Sequence, residues 1–181
     1  AITAERHKSV RALAVDPNYV QAHYNLGLIY SRRSQTAEAI REFMLVLKKN
    51  PEDVYARNNL GLLYLQEGRW EEGVLEFEKA IDLSPDDLFA HLNMAQAQEQ
   101  AGQFPAAAAE YRLASELQPG DPQIQSKLGL VLLKGGRLNE AFEQFRAVLK
   151  NHPAYAPAHL NMGLLFIRME RREEAAESFR K

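Results

Sequence analysis

The sequence predicts an all-α chain built as a solenoid of repeated helix pairs, and three observations carry that prediction. Five prolines, Pro17, Pro51, Pro85, Pro119 and Pro153, recur at an unbroken spacing of 34 residues. Counted from three residues after each proline, position 8 reads Gly27, Gly61, Ala95, Gly129 and Gly163, and position 24 reads Phe43, Phe77, Tyr111, Phe145 and Phe179. Apolar residues inside each unit fall at helical spacing, as in Leu60, Leu63 and Tyr64. A fixed period of this length is the mark of a repeat array, in which each unit buries its apolar face only against its neighbours.

Composition agrees with a packed chain. Of 181 residues, 46% are hydrophobic and 25% charged, which excludes disordered and low-complexity classes. A formal charge of −2 leaves no electrostatic footprint for nucleic acid or an anionic membrane. No apolar run approaches the roughly 18 residues that span a bilayer. The absence of cysteine rules out disulfides, thiolate catalysis and cysteine-zinc sites, and leaves cytoplasm and bacterial periplasm equally open.

Residues 1–19 read as the second helix of a partial unit, with Glu5 at position 20 and Ser9 at position 24. Full units follow at 20–53, 54–87, 88–121 and 122–155, and a truncated unit at 156–181. Each first helix is expected to stop near a residue such as Gly68, Gly102 or Gly136, which tolerates the left-handed helix end. Pro105, Pro122 and Pro157 sit where a helix begins, the one place that accepts proline readily. Asp53, Asp87 and Asp121 immediately precede first helices and are expected to cap them. Glycine inside a helix costs about 1 kcal/mol relative to alanine. Its recurrence opposite the small position 20 (Ala39, Gly73, Ala107, Ala141, Ala175) therefore implies close approach of the paired helices, with the position-24 aromatic beside that contact. Glu71, Glu72, Glu76 and Glu78 read as a solvated outer face. Both ends lack the polar caps that arrays need, so the chain is expected to be a segment of a longer array, or to meet a partner or a second copy there.

These columns resemble the tetratricopeptide repeat (TPR) family. Its pattern sets leucine at position 7 (Leu26, Leu60, Met94, Leu128, Met162), glycine or alanine at 8, alanine at 20, an aromatic at 24 and proline at 32. Position 11 keeps Tyr30, Tyr64 and Phe166 but departs to Gln98 and Leu132, and position 4 holds His23, Arg57, His91, Gln125 and His159 as ordinary drift. The resemblance implies a right-handed superhelix whose first helices line a concave groove.

No catalytic motif is present: GxSxG, HExxH, Walker A and GxGxxG are all absent. The glycines of Lys134-Gly135-Gly136-Arg137 occupy an intra-repeat turn, without the strand or the Lys-Ser/Thr of a phosphate loop. His23, His91 and His159 are in register, but two repeats of helix packing separate them by roughly 20 Å, too far to share a metal ion. The chain is expected to be no enzyme and to need no cofactor or metal.

Position 6 is more informative, reading Asn25, Asn59, Asn93, Lys127 and Asn161. Asparagine is a mediocre helix former, yet its carboxamide offers a donor and an acceptor, the complement of a peptide bond. Rungs about 10 Å apart match about three residues of extended chain. The column is similar to the asparagine ladder of the TPR superhelix in O-linked N-acetylglucosamine transferase. Around it the resemblance places Tyr24, Tyr55 and Phe89 as apolar groove residues; Arg32, Lys134 and Arg168 at position 13 either complement the dipoles of the first helices or attract acidic ligand residues. The lysine and asparagine pattern of chaperone-tail clamps is missing beyond position 6. The expected partner is thus an extended peptide segment of another protein. Two rivals are a substrate-recruiting region of a larger enzyme, such as a glycosyltransferase, and a bacterial envelope or pilus assembly factor. An RNA-reading repeat lacks the recurring basic residues it needs.

Overall fold

A computed structural model describes residues 2–181, and the secondary structure of the described residues is entirely helical. The order is α1 (Ile2–Val15), α2 (Val20–Arg32), α3 (Thr36–Lys49), α4 (Val54–Gln66), α5 (Trp70–Leu83), α6 (Leu88–Gln100), α7 (Phe104–Leu117), α8 (Pro122–Lys134), α9 (Leu138–Asn151), α10 (Ala156–Arg168) and α11 (Arg172–Ser178). First helices begin at Val20, Val54, Leu88, Pro122 and Ala156, so the period of the sequence is the period of the helices. Packing divides the chain into two compact units, one ending at Asn93 and one beginning at Met94, inside α6.

In the first unit successive helices pack pairwise from α1 to α5. Its core joins Ala39, Ile40, Phe43 and Val46 of α3 to Ala56, Leu60, Leu63 and Tyr64 of α4. The helical glycines are explained by ring contacts. A methyl group on Gly61 would meet Phe77 at 2.5 Å, and one on Gly27 would meet Phe43 at 2.8 Å. The residue directly over position 8 is therefore the position-24 aromatic, where the sequence suggested the small position 20. Position 20 makes the expected close backbone approach at Gly73, whose added methyl would lie 2.9 Å from the Gly61 carbonyl oxygen. In the second unit Gly129 stands against Phe145 and Gly163 against Phe179 in the same way. The aromatic column is fully buried at Phe43, Phe77, Tyr111 and Phe145, whereas Phe179 is 46% exposed.

Turn chemistry follows the reading of the sequence. Gly68, Gly102 and Gly136 adopt φ of 75°, 74° and 77° just past their first helices, and Ser34 and Glu170 hold the equivalent corners at 57° and 61°. Asp53 Oδ1 accepts from Ala56 N at 2.8 Å, Asp87 Oδ1 from Ala90 N at 2.6 Å, and Asp121 Oδ1 from Gln123 N at 2.7 Å. Each carboxylate thus satisfies an N–H that the helix start leaves unpaired.

Candidate functional site

Position 4 has a structural task that the sequence reading passed over as drift. His23 Nδ1 lies 2.6 Å from Glu42 Oε2 and its Nε2 lies 3.0 Å from the Pro17 carbonyl oxygen. Arg57 repeats the arrangement, donating to Glu76 Oε2 at 2.7 Å and to the Pro51 carbonyl at 2.6 Å. His91 reaches the Pro85 carbonyl at 2.8 Å and His159 the Pro153 carbonyl at 2.7 Å. In each case a side chain of the first helix holds the inter-repeat turn, and in the first two it also holds the second helix of its own unit. The usable signal was a glutamate nineteen residues on, at Glu42 and Glu76. The solvated reading of Glu76 is corrected by the same contact. This carboxylate is buried and accepts from both Arg57 and Lys79, each at 2.7 Å.

The position-6 column of the first unit is partly engaged. Asn25 is exposed, and its Oδ1 accepts from Gln21 Nε2 at 3.1 Å. Asn59 is half-buried; its Nδ2 donates to the Tyr55 carbonyl at 2.7 Å and to the Tyr24 hydroxyl at 3.3 Å. Both amide hydrogens being used, Asn59 presents an oxygen to a ligand, whereas Asn25 presents an N–H. Tyr24 is half-buried and packs edge-on against Phe43, with ring centroids 5.6 Å apart. Burial first, and then the Asp53 charge, raises its pKa above the ordinary phenol value. Its hydroxyl braces the Asn59 amide. Tyr55 and Phe89 are the open side chains, 63% and 62% exposed at position 2 of successive first helices, and Asn93 is half-buried one turn beyond Phe89.

Behind this face the repeats are tied together. Asn58, 5% exposed, donates from Nδ2 to Asp87 Oδ1 at 3.0 Å, so one carboxylate both caps α6 and clips α4 to it. Nothing in its column marks Asn58 for this role, and only its depth reveals it. Arg32 sits with Glu5, Lys8, Ser9, Asn25, Leu28 and Ile29 around a cavity of about 300 Å³ beside α1.

In the second unit Lys134 is not an unpaired cation. Its Nζ donates to Glu99 Oε1 at 2.7 Å, and Glu99 Oε2 also accepts from the Tyr111 hydroxyl at 3.2 Å. Burial, and then the Glu99 charge, holds the Tyr111 phenol well above its ordinary pKa. Lys127 is half-buried with Nζ 6.0 Å above the Tyr111 ring. Asn161 is half-buried and Arg168 exposed on α10. Leu133 is core at 6% exposure.

Charge is sorted between the two kinds of helix. First helices α2, α4, α6, α8 and α10 carry five lysines and arginines against one acid, Glu99. Second helices α3, α5, α7, α9 and α11 carry fourteen acids against eight bases. Among the described residues no helix is long and apolar enough to cross a membrane.

Paired helices at a fixed period, with a glycine under an aromatic in four of the five hairpins, define an α-helical repeat solenoid. Five profiles of the tetratricopeptide repeat match successive stretches, at residues 10–41, 33–87, 64–130, 125–155 and 156–181. The chain belongs to the tetratricopeptide repeat family. No curated protein sequence matches it. Among solved structures it is similar to MamA residues 41-end from Desulfovibrio magneticus RS-1, with a TM-score of 0.81 at 20% identity over 89% of this chain and 91% of that one. A further MamA crystal structure gives 0.79 at 23% identity, over 89% and 88% of the two chains. YrrB, described as a TPR protein with an unusual peptide-binding site, gives 0.78 at 23% identity, covering 94% of this chain and 88% of its own. At these identities the likeness is one of fold.

Proposed function

We propose that the chain is a protein-interaction scaffold that holds an extended segment of a partner along the first helices of its first unit. The observation that carries this reading is the pair Tyr55 and Phe89, large apolar side chains left open one repeat apart, each four residues before an asparagine of the position-6 column. Extended chain advances about 3.3 Å per residue, so side chains three apart in a ligand meet successive repeats. The aromatics read ligand side chains, while Asn59 accepts from, and Asn93 pairs with, the ligand backbone. Peptide binding is also the role named for YrrB, whose fold the chain shares.

Affinity capture of a partner, followed by mapping of the captured segment, supplies the ligand for the test. Each backbone hydrogen bond contributes about 0.5–1.5 kcal/mol net, so Asn59→Ala or Asn93→Ala alone weakens binding by about tenfold or less. The double variant weakens it further and by a similar factor for segments of different sequence. Phe89→Ala discriminates among segments instead. A double variant that keeps its helicity and binds at full strength refutes the ladder.

A further inference from the structure

The second unit breaks the asparagine column with Lys127, and its surroundings give that substitution a chemical sense. Lys127 lies on the wall of a pocket of about 420 Å³, together with Gln96, Glu99, Gln100, Tyr111, Leu130 and Lys134. Within the pocket Glu99 is already neutralised, by Lys134 at 2.7 Å and by the Tyr111 hydroxyl at 3.2 Å. Lys127 has no carboxylate partner among the described residues, only the face of the Tyr111 ring 6.0 Å away. The pocket therefore carries one uncompensated positive charge on a half-buried side chain. Partial desolvation of an ammonium group is unfavourable, and a ring face at this distance returns only a fraction of it. An incoming anion returns more.

We infer that this pocket seats a carboxylate side chain of a protein segment bound to the second unit, with Lys127 as its counter-ion. The inference rests on the protein-scaffold reading above and adds, for the second unit by itself, the chemistry of one ligand residue. One net charge suits a single aspartate or glutamate. A nucleic-acid backbone would call for a row of cations, and Glu99 in the same pocket opposes one. Gln96 and Gln100 supply amide N–H groups at the rim, and Leu130 supplies an apolar wall for the methylene stem. The sorting of charge between first and second helices acts in the same direction, because the first helices of this unit offer an acidic segment no repelling carboxylate except the neutralised Glu99.

A random dodecapeptide display library, selected on the whole chain, tests the assignment. Lys127→Asn restores the residue of the column and removes the charge. Lys150→Asn, at an exposed site on the second helix α9, makes the same change in net charge away from the pocket. Peptides selected by the unaltered chain and by Lys150→Asn are expected to share an Asp or Glu at one fixed place, absent from those selected by Lys127→Asn. A peptide taken from the first selection should bind Lys127→Asn about tenfold more weakly, the scale of a partly desolvated charge pair. It should bind Lys150→Asn unchanged. An acidic place that persists with Lys127→Asn, or selected peptides with no acidic place at all, overturns the carboxylate assignment and leaves the extended-segment reading standing. No peptide selected by the unaltered chain overturns both.

Discussion

Gly61→Ala isolates the glycine–ring contact on which four of the five hairpins are built. The added methyl would stand 2.5 Å from Phe77 Cε1 and 2.9 Å from Cδ1 and Cζ, all atoms of one ring. Phe77 is fully buried, so the ring has no open space to swing into. Forcing a methyl group into a packed core costs about 1–3 kcal/mol, against a gain of about 1 kcal/mol for alanine over glycine in a helix. A net loss of about 1 kcal/mol is expected, or a fall in melting temperature of about 2–4 °C for a chain of this size. Trp70, the only tryptophan, begins the second helix of the same hairpin. Its fluorescence in a urea titration therefore follows the altered repeat itself, which matters in an array whose repeats need not unfold together. Gly163→Ala provides the contrast. Its methyl would press on Phe179 even harder, but that ring is 46% exposed and free to turn aside. There the propensity gain should survive, leaving stability unchanged or raised. If Gly61→Ala proves as stable as the unaltered chain, or if both alanines cost the same, the ring contact is not what keeps glycine at position 8.

Other consequences are open to the same measurements. Ser34 and Glu170 hold left-handed corners that glycine fills elsewhere in the chain. Ser34→Gly and Glu170→Gly should each gain about 0.5–1 kcal/mol, the left-handed penalty less the entropy of glycine; melts showing no gain would mean that these corners carry no strain. Asp53→Ala removes one cap and should cost about 1 kcal/mol. Asp87→Ala removes a cap and also strands the buried Nδ2 of Asn58, adding about 1–3 kcal/mol. Equal losses in the two aspartate variants would refute the clip between α4 and α6.

What the sequence disclosed was whatever repeated with one residue type. The glycine, aromatic, proline and aspartate columns recur because the same backbone corner or the same ring contact recurs, and each made its element readable. Position 4 also does one task in every repeat where it reaches a proline carbonyl, but histidine and arginine perform it, so the column resembled drift. Its partner, the glutamate nineteen residues on, lies across a helix hairpin and has no local signature. Lys134 and Glu99 are 35 residues apart, and only their contact shows that the position-13 cation is spent inside the fold. That result bears on where recognition resides. A side chain whose partner lies within the array stabilises it, as Arg57 and Lys134 do. One that departs from its column and finds no such partner has energy to offer a ligand. Among the position-6 residues Lys127 alone meets both conditions, and Asn59 shows the opposite case, its amide hydrogens already committed to Tyr55 and Tyr24. Position in the repeat therefore ranks the candidates less well than the account of which polar atoms the fold has already used.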